Sequence, residues 1–259
     1  ASAPSDNLTG SLAFSGSAMF VPNPADSSLS FGNGTTDQAF SISFWLSMSQ
    51  DPTLTSPSYT HFIVSKPREY SIYWTRDSDA EDQRISFEVN DGNGHSAKFK
   101  IYNQTDKNYC TQGWTHFVVT YNGSGSNITS ATVNEIWSAY KMYENGKIIT
   151  TSGSTATNLN HYTASDDMGY DLNMMGRHDY GVARYLTGSL SEVAIWTKAL
   201  TSQEIDVLYR GSLSTELWND SIIYQTRSFF EKELLGRPSF TSKSKGVGFS
   251  YMMRLSRVS

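Results

Sequence analysis

The sequence predicts an all-β chain: a two-sheet antiparallel sandwich with one short helix and a C-terminal extension. Short runs that alternate apolar and polar residues, or are rich in aromatics, recur along its length. Turn sequences such as Asn90-Asp91-Gly92-Asn93-Gly94, Asn122-Gly123 and Asn145-Gly146 separate them; Asn-Gly and Asp-Gly accept the positive φ that tight hairpins need. The composition agrees, with 13% aromatic residues, 19 Gly and only 17% charged residues among 259. That profile suits sheets joined by polar turns and is too aromatic for a disordered chain.

In chain order, the predicted strands are residues 11–21, 40–48, 61–64, 70–74, 84–89, 97–102, 114–121, 140–143 and 190–196. Tyr70, Ile72 and Trp74 fall on one face, which predicts that they pack inward. One helix follows: Thr201-Ser202-Gln203-Glu204 is a capping box, Ile205 and Leu208 share a face, and Gly211 stands where a left-handed C-cap would sit. Residues 1–211 therefore read as one sandwich domain. Residues 212–259 read as a basic extension, since Ser228-Phe229-Phe230-Glu231 is a second capping box with Leu234 one turn on. After the linker of residues 241–246, Phe249, Tyr251, Met253 and Leu255 alternate as a strand. Such a tail has too little core of its own, so it docks on the sandwich or on another chain.

Charge and special residues narrow the function. The net charge is −5, but residues 221–259 carry seven Lys/Arg against two Glu, a net of +5, which leaves −10 on residues 1–220. An acidic body argues against nucleic acid, and a basic tail fits an acidic protein surface. There is no apolar run of about 18 residues to cross a bilayer. Cys110 is the only cysteine, so no internal disulfide forms and the thiol is expected to be buried. Six Asn-x-Ser/Thr sites, at Asn7, Asn33, Asn103, Asn122, Asn127 and Asn219, fit an extracellular protein. The first residue, Ala1, fits removal of a starting Met or of a leader.

Six motifs in order resemble the laminin-G-like, concanavalin-A-like jelly-roll family: Leu12-Ala13-Phe14-Ser15-Gly16-Ser17, Phe40 to Leu46, Phe62 to Lys66, Gly113 to Gly123, Tyr140 to Gly146, and Gly188 to Trp196 followed by Leu200 to Ile205. The resemblance implies a jelly roll over residues 10–211. The residues read the same way: Trp45, Trp114 and Trp196 sit in alternating strands, where large apolar rings are expected to fill the space between two sheets.

That fold hosts lectins, hydrolases, calcium-dependent binders and structural modules, so function rests on sites. In the pentraxin branch an Asp-Asn pair and a Glu-Gln-Asp cluster hold calcium; here the matching stretches read Lys66-Pro67-Arg68-Glu69 and Gly176-Arg177-His178-Asp179. Cations repel a hard divalent ion, so no cofactor is assigned and the pentraxin-type calcium ligands are not matched. The trios Asp77, Asp79, Asp82 and Asp166, Asp167, Asp171 match no calcium loop and read as solvated turn carboxylates. The paired carboxylates of retaining glucanases are missing, as are a G-x-S-x-G elbow and an H-E-x-x-H pair, which argues against an enzyme. Arg68, Tyr73, Arg177, His178, Asp179 and Tyr180 form the candidate ligand-binding rim, because aromatic faces beside planar hydrogen-bonding groups suit sugars.

The first functional expectation is a non-enzymatic surface binding and assembly module, a structural, decoration or fibre component of a virion or extracellular assembly. Its extension would use Phe229, Phe230, Leu234, Phe249, Tyr251, Met253 and Leu255 for contacts with subunits of the same or a neighbouring assembly, giving an oligomer. The alternative is a stand-alone carbohydrate-binding, lectin-like adhesion module.

Overall fold

A computed structural model describes residues 12–14, 18–32, 36–48, 60–76, 83–90, 98–103, 109–110, 113–124, 138–149, 152–157, 169–176, 185–210 and 222–225. They form two seven-stranded antiparallel sheets and one helix. The first sheet, sheet A, contains β1 (Leu12–Phe14), β3 (Phe40–Met48), β8 (Thr115–Tyr121), β9 (Tyr140–Glu144), β10 (Lys147–Ile148), β13 (Gly188–Trp196) and β14 (Ile222–Gln225). Its order is β1-β13-β3-β8-β9-β10, with β14 also on β13. Sheet B contains β2 (Met19–Val21), β4 (Thr60–Lys66), β5 (Tyr70–Arg76), β6 (Gln83–Asn90), β7 (Lys98–Asn103), β11 (Ser152–Thr157) and β12 (Leu172–Met174), in the order β11-β7-β6-β5-β4-β12-β2.

Period-two patterning places the core between these sheets. From sheet A come Phe40, Ile42, Phe44, Leu46 and Met48 of β3 with Phe117, Val119 and Tyr121 of β8; from sheet B come Tyr70, Ile72 and Trp74 of β5 with Ile85, Phe87 and Val89 of β6. Tyr70, Ile72 and Trp74 are thus inward, as the alternation predicts. Each such side chain contributes roughly 1.5–3 kcal/mol by leaving water. The Asn145-Gly146 pair forms the two-residue β9–β10 hairpin with φ of 50° and 76°, the primed turn its sequence demands.

The helix α1 (Ser202–Arg210) begins at the predicted capping box: Thr201 N donates to Glu204 Oε2 at 2.8 Å and Glu204 N donates to Thr201 Oγ1 at 3.3 Å. Its buried face, Ile205 and Leu208, joins Val118, Tyr143, Ala194, Trp196 and Leu200 in a second apolar cluster on the outer face of sheet A. Ser41 holds the approach to the helix, donating to Lys198 O at 2.8 Å and accepting from Leu200 N at 2.9 Å.

This cluster corrects the reading of the tryptophans. Trp196 lies under α1, outside the intersheet core, and Trp45 stacks on Tyr209 of α1 at 5.8 Å. Trp45 stands one residue from the inward Phe44 and Leu46, so strand alternation turns it outward, and Trp196 stands one residue from the inward Ile195, past the register shift of β13 against β3 between Ser191 and Ala194. Trp114 precedes β8 and is half-buried. Cys110 is likewise half-buried against the core edge, where a fully buried thiol was expected.

Strand signals missed β10, β11, β12 and β14, which have two to six residues each. β14 lies in the stretch that reads as an extension, yet it pairs with β13 through Ala194↔Gln225, Ile195↔Tyr224 and Trp196↔Ile222. The strand predicted at residues 249–255, the second helix and the seven arm residues Phe229, Phe230, Leu234, Phe249, Tyr251, Met253 and Leu255 lie outside the described residues.

Candidate ligand-binding rim

Three segments meet at the β4–β5 end of sheet B. The first is the turn between those strands. Lys66 pairs with Tyr70, and Glu69 N donates to Lys66 O at 3.1 Å, which closes a four-residue turn. Pro67 takes its second position, where a fixed φ is favoured, and Arg68 takes the third with φ of 66°. Gly or Asn usually occupies that position, because a Cβ crowds the left-handed backbone.

The strand alternation carries Lys66 inward, beside Tyr70, where it is 0% exposed. A bare ammonium there would be costly. It forms an ion pair with Glu69, itself buried, and donates to Ser30 Oγ at 3.0 Å. Tyr70 Oη donates to Leu29 O at 3.1 Å. Burial, and then the Glu69 charge, push the Tyr70 pKa well up, so its hydroxyl stays a donor. These bonds fasten the second segment, residues 23–30, to the turn.

The third segment leads into β12. Asp171 Oδ1 accepts from Asn23 N at 3.0 Å. Asn173 Nδ2 donates to Asp171 O at 2.8 Å and to Ser65 O at 3.3 Å, and Ser65 Oγ bonds Ser71 Oγ at 3.0 Å. Above this buried layer stand the accessible groups: exposed Asp171, half-buried Tyr170, and half-buried Arg68 with its guanidinium carbon 5.6 Å from the Tyr170 ring centre. An aromatic ring, a planar cation and a carboxylate are thus held on a rigid polar base.

Of the six candidate residues, Arg68 is at this rim. Tyr73 is buried in mid-sheet, its ring 5.6 Å from that of Phe62 and its hydroxyl donating to Glu88 Oε2 at 3.0 Å. Arg177, His178, Asp179 and Tyr180 lie outside the described residues. Their described flanks are anchored at the middle of β4 and towards its start: Met175 N donates to Ile63 O at 2.7 Å, and His61 Nδ1 donates to Tyr185 O at 2.7 Å. A Cβ on Gly176 would stand 2.6 Å from the Tyr185 ring, so Gly is required for that approach. Ile63 and His61 stand three and five residues before Lys66, roughly 10 and 17 Å along the strand. The structure therefore does not bring Arg68 together with the flanks of residues 177–180. Sequence reasoning missed Asn23, Tyr170 and Asn173, whose respective partners Asp171, Arg68 and Ser65 lie far away in sequence, and placed Asp171 only in a carboxylate trio. Among the described residues, no group of three His, Cys, Asp or Glu is arranged to hold a metal ion.

Residues 23–206 match a laminin G family profile described as the concanavalin A-like lectin/glucanases superfamily. The chain belongs to that family. Among solved structures, this laminin-G-like chain is similar to the binding domain of Paraclostridial Mosquitocidal Protein 1, with a TM-score of 0.51 and 15% identity over 78% of this chain and 42% of that one. It is also similar to the heptameric SAP-like pentraxin of Limulus polyphemus, with a TM-score of 0.43 and 14% identity over 74% and 80% of the two chains. A third is domain 4 of the extracellular GH43 arabinanase of Geobacillus stearothermophilus, solved with arabinotriose, at 0.41 and 17% over 76% and 75%. The chain spans less than half of the mosquitocidal binding domain. No curated protein matches it. At 15% identity the likeness to the mosquitocidal binding domain supports the sandwich fold alone. Among the described residues, no helix is long and apolar enough to cross a membrane.

Proposed function

We propose that this laminin-G-like chain is a non-catalytic, extracellular glycan-binding module whose ligand sits on the rim built by Arg68, Tyr170 and Asp171. The observation that carries it is the convergence of three segments there: accessible aromatic and planar polar groups rest on buried bonds from Lys66, Glu69, Asn173 and Ser65. Sugars present C–H faces to an aromatic ring and hydroxyls to planar hydrogen-bonding groups, and a fixed base lowers the ordering cost of binding them. The family's lectin membership supports the same reading. Binding of immobilised oligosaccharides by the full chain and by Tyr170→Ala tests it. The full chain should retain at least one glycan and Tyr170→Ala should lose it by roughly tenfold or more, the scale of one stacking contact. Equal binding by both proteins removes the rim from the reading.

A second reading is the assembly module, in which residues 212–259 serve a virion or extracellular particle. It is supported by the charge split and by β14, which pairs with β13 from within residues 212–259. Light-scattering mass of the full chain and of a chain ending at Leu213 separates the readings. A salt-sensitive oligomer that the shorter chain cannot form supports assembly, and two monomers count against it.

A further inference from the structure

We infer that Asn122 is an acceptor for an N-linked glycan, and that the folded chain presents it already shaped for transfer. This goes beyond the rim reading and does not depend on it. The sequon Asn122-Gly123-Ser124 follows directly after β8, and among the described side chains Asn122 is the one sequon acceptor. It is exposed, as a bulky and hydrated substituent on its amide requires.

The turn supplies the first ground. Asn122 N donates to Ala139 O at 3.0 Å and Asn122 Nδ2 donates to Ser138 O at 3.1 Å, which ties the residue to the stretch leading into β9. Asn122 Oδ1 accepts from Ser124 N at 3.0 Å and from Ser124 Oγ at 2.6 Å. Between them Gly123 has φ of 77° and lies against residues 37–39, where a Cβ would stand 3.1 Å from Ala39 N. A turn of this kind needs the Asn122 oxygen, the Ser124 N–H and a residue that tolerates positive φ. It does not need a hydroxyl at position 124. That hydroxyl is what turn formation leaves unexplained, and it is what the sequon requires.

Chemistry supplies the second ground. An amide nitrogen is a weak nucleophile because its lone pair is delocalised into the carbonyl. In the transfer, Nδ2 bonds to C1 of the first sugar of a lipid-diphosphate-linked oligosaccharide. The bond from C1 to the diphosphate oxygen breaks, its electron pair leaves on the lipid diphosphate, and one amide proton passes to a base of the transferase. Loss of that proton puts negative charge on Oδ1, where the two Ser124 donors already point. The Asn122 amide has two N–H groups, and its bond to Ser138 O uses one. The glycosylated amide keeps one N–H, so the tie to Ser138 is retained and the turn need not rearrange.

Two measurements test this. In the first, the full chain is secreted from a eukaryotic host and deglycosylated enzymatically in heavy-oxygen water, which marks each formerly occupied Asn for peptide mass spectrometry. Asn122 should carry the mark in most molecules. Ser124→Ala should lose it with Tm unchanged, because the Ser124 N–H bond remains, and Ser124→Thr should keep it. Asn122→Asp, which keeps the oxygen that Ser124 bonds, should lose the mark with the fold intact. In the second, the full chain made without glycans and already folded is incubated with a lipid-diphosphate-linked oligosaccharide and a single-subunit oligosaccharyltransferase. Asn122 should be modified there, and Ser124→Ala should not. An unmarked Asn122 in the secreted chain, whether or not other sequons are marked, overturns the acceptor. A marked secreted chain whose folded counterpart is refused overturns presentation by the folded turn. Equal marking of Ser124→Ala overturns the role of the hydroxyl.

Discussion

The outer face of sheet A and the β4–β5 rim of sheet B solve the same problem, how to finish a sandwich, with opposite chemistry. Under α1 the sheet is finished with apolar and aromatic groups: Val118, Ala194 and Trp196 meet Ile205 and Leu208, and Trp45 and His116 stack against Tyr209. At the rim it is finished with charges and amides that satisfy one another, Lys66 with Glu69 and Ser30, Asn173 with Asp171 and Ser65. The first arrangement gains from every apolar atom removed from water and tolerates imperfect geometry. The second gains little from burial itself and depends on each partner being present. A surface closed in the first way has no groups left to offer a ligand. One closed in the second way can hold further polar groups in fixed positions above it.

The largest effects should come from breaking each closure. Trp196→Ala is predicted to cost about 3–5 kcal/mol through lost burial and the cavity left under α1. Lys66→Ala is predicted to cost a similar 3–5 kcal/mol, for a different reason: it leaves the Glu69 carboxylate buried beside Tyr70 without its cation. Urea titrations of both single variants and of Lys66→Met/Glu69→Leu separate the causes. The double variant removes both charges at similar volume and should recover most of the loss. If it is as unstable as Lys66→Ala, the rim is held by packing and not by the pair.

Acid should act on the helix-covered face next. His116 is buried between Trp45 and Tyr209, its Nδ1 makes no hydrogen bond, and burial lowers its pKa from 6.5 to about 3. Below pH 6.5 the unfolded chain therefore takes up a proton that the folded chain refuses. Stability is complete above pH 6.5 and falls as the pH drops toward 3, by up to about 1.4 kcal/mol per pH unit. His116→Phe keeps the stacking and removes the titration. Over pH 4.5–6.5, above the ordinary range of carboxylates, the variant should show a flatter stability curve than wild type. Parallel curves would show that His116 titrates without cost to the fold.

The two regions also differ in how far sequence alone reveals them. The helix and its box were legible because Thr201, Glu204, Ile205 and Leu208 sit within one or two turns, and β3 was legible because its inward residues alternate without a break. The outward face of Trp45 was legible too, because Ser41, Ser43 and Ser47 share its parity, whereas that of Trp196 was not, since the register shift between Ser191 and Ala194 breaks the alternation of β13. At the rim, Lys66 and Arg68 stand two residues apart in sequence and read alike as cations. Their fates separate because strand parity sends Lys66 inward and the turn sends Arg68 out. The partners that make this affordable, Ser30, Leu29 and Asn23, lie 36 to 148 residues from the groups they bond. Nothing local announces them.

The smallest predicted effect tests whether α1 is a lid or merely a continuation of the chain. Thr201→Ala removes the hydroxyl that accepts from Glu204 N and leaves the buried face untouched, so it should cost about 1 kcal/mol. If α1 docks as one piece with sheet A, that loss appears in the global unfolding transition and hydrogen exchange at Ile205 and Leu208 rises only in proportion. If α1 opens by itself, exchange at those two amides rises about fivefold while strand amides of β3 and β8 do not change, and the apolar closure is then the more mobile of the two. The Lys198–Glu204 ion pair at 2.6 Å, which draws the Glu204 pKa down against the opposing effect of its partial burial, remains in this variant. It keeps the first turn attached to the chain that leads from β13, so whole-piece docking is the expected result.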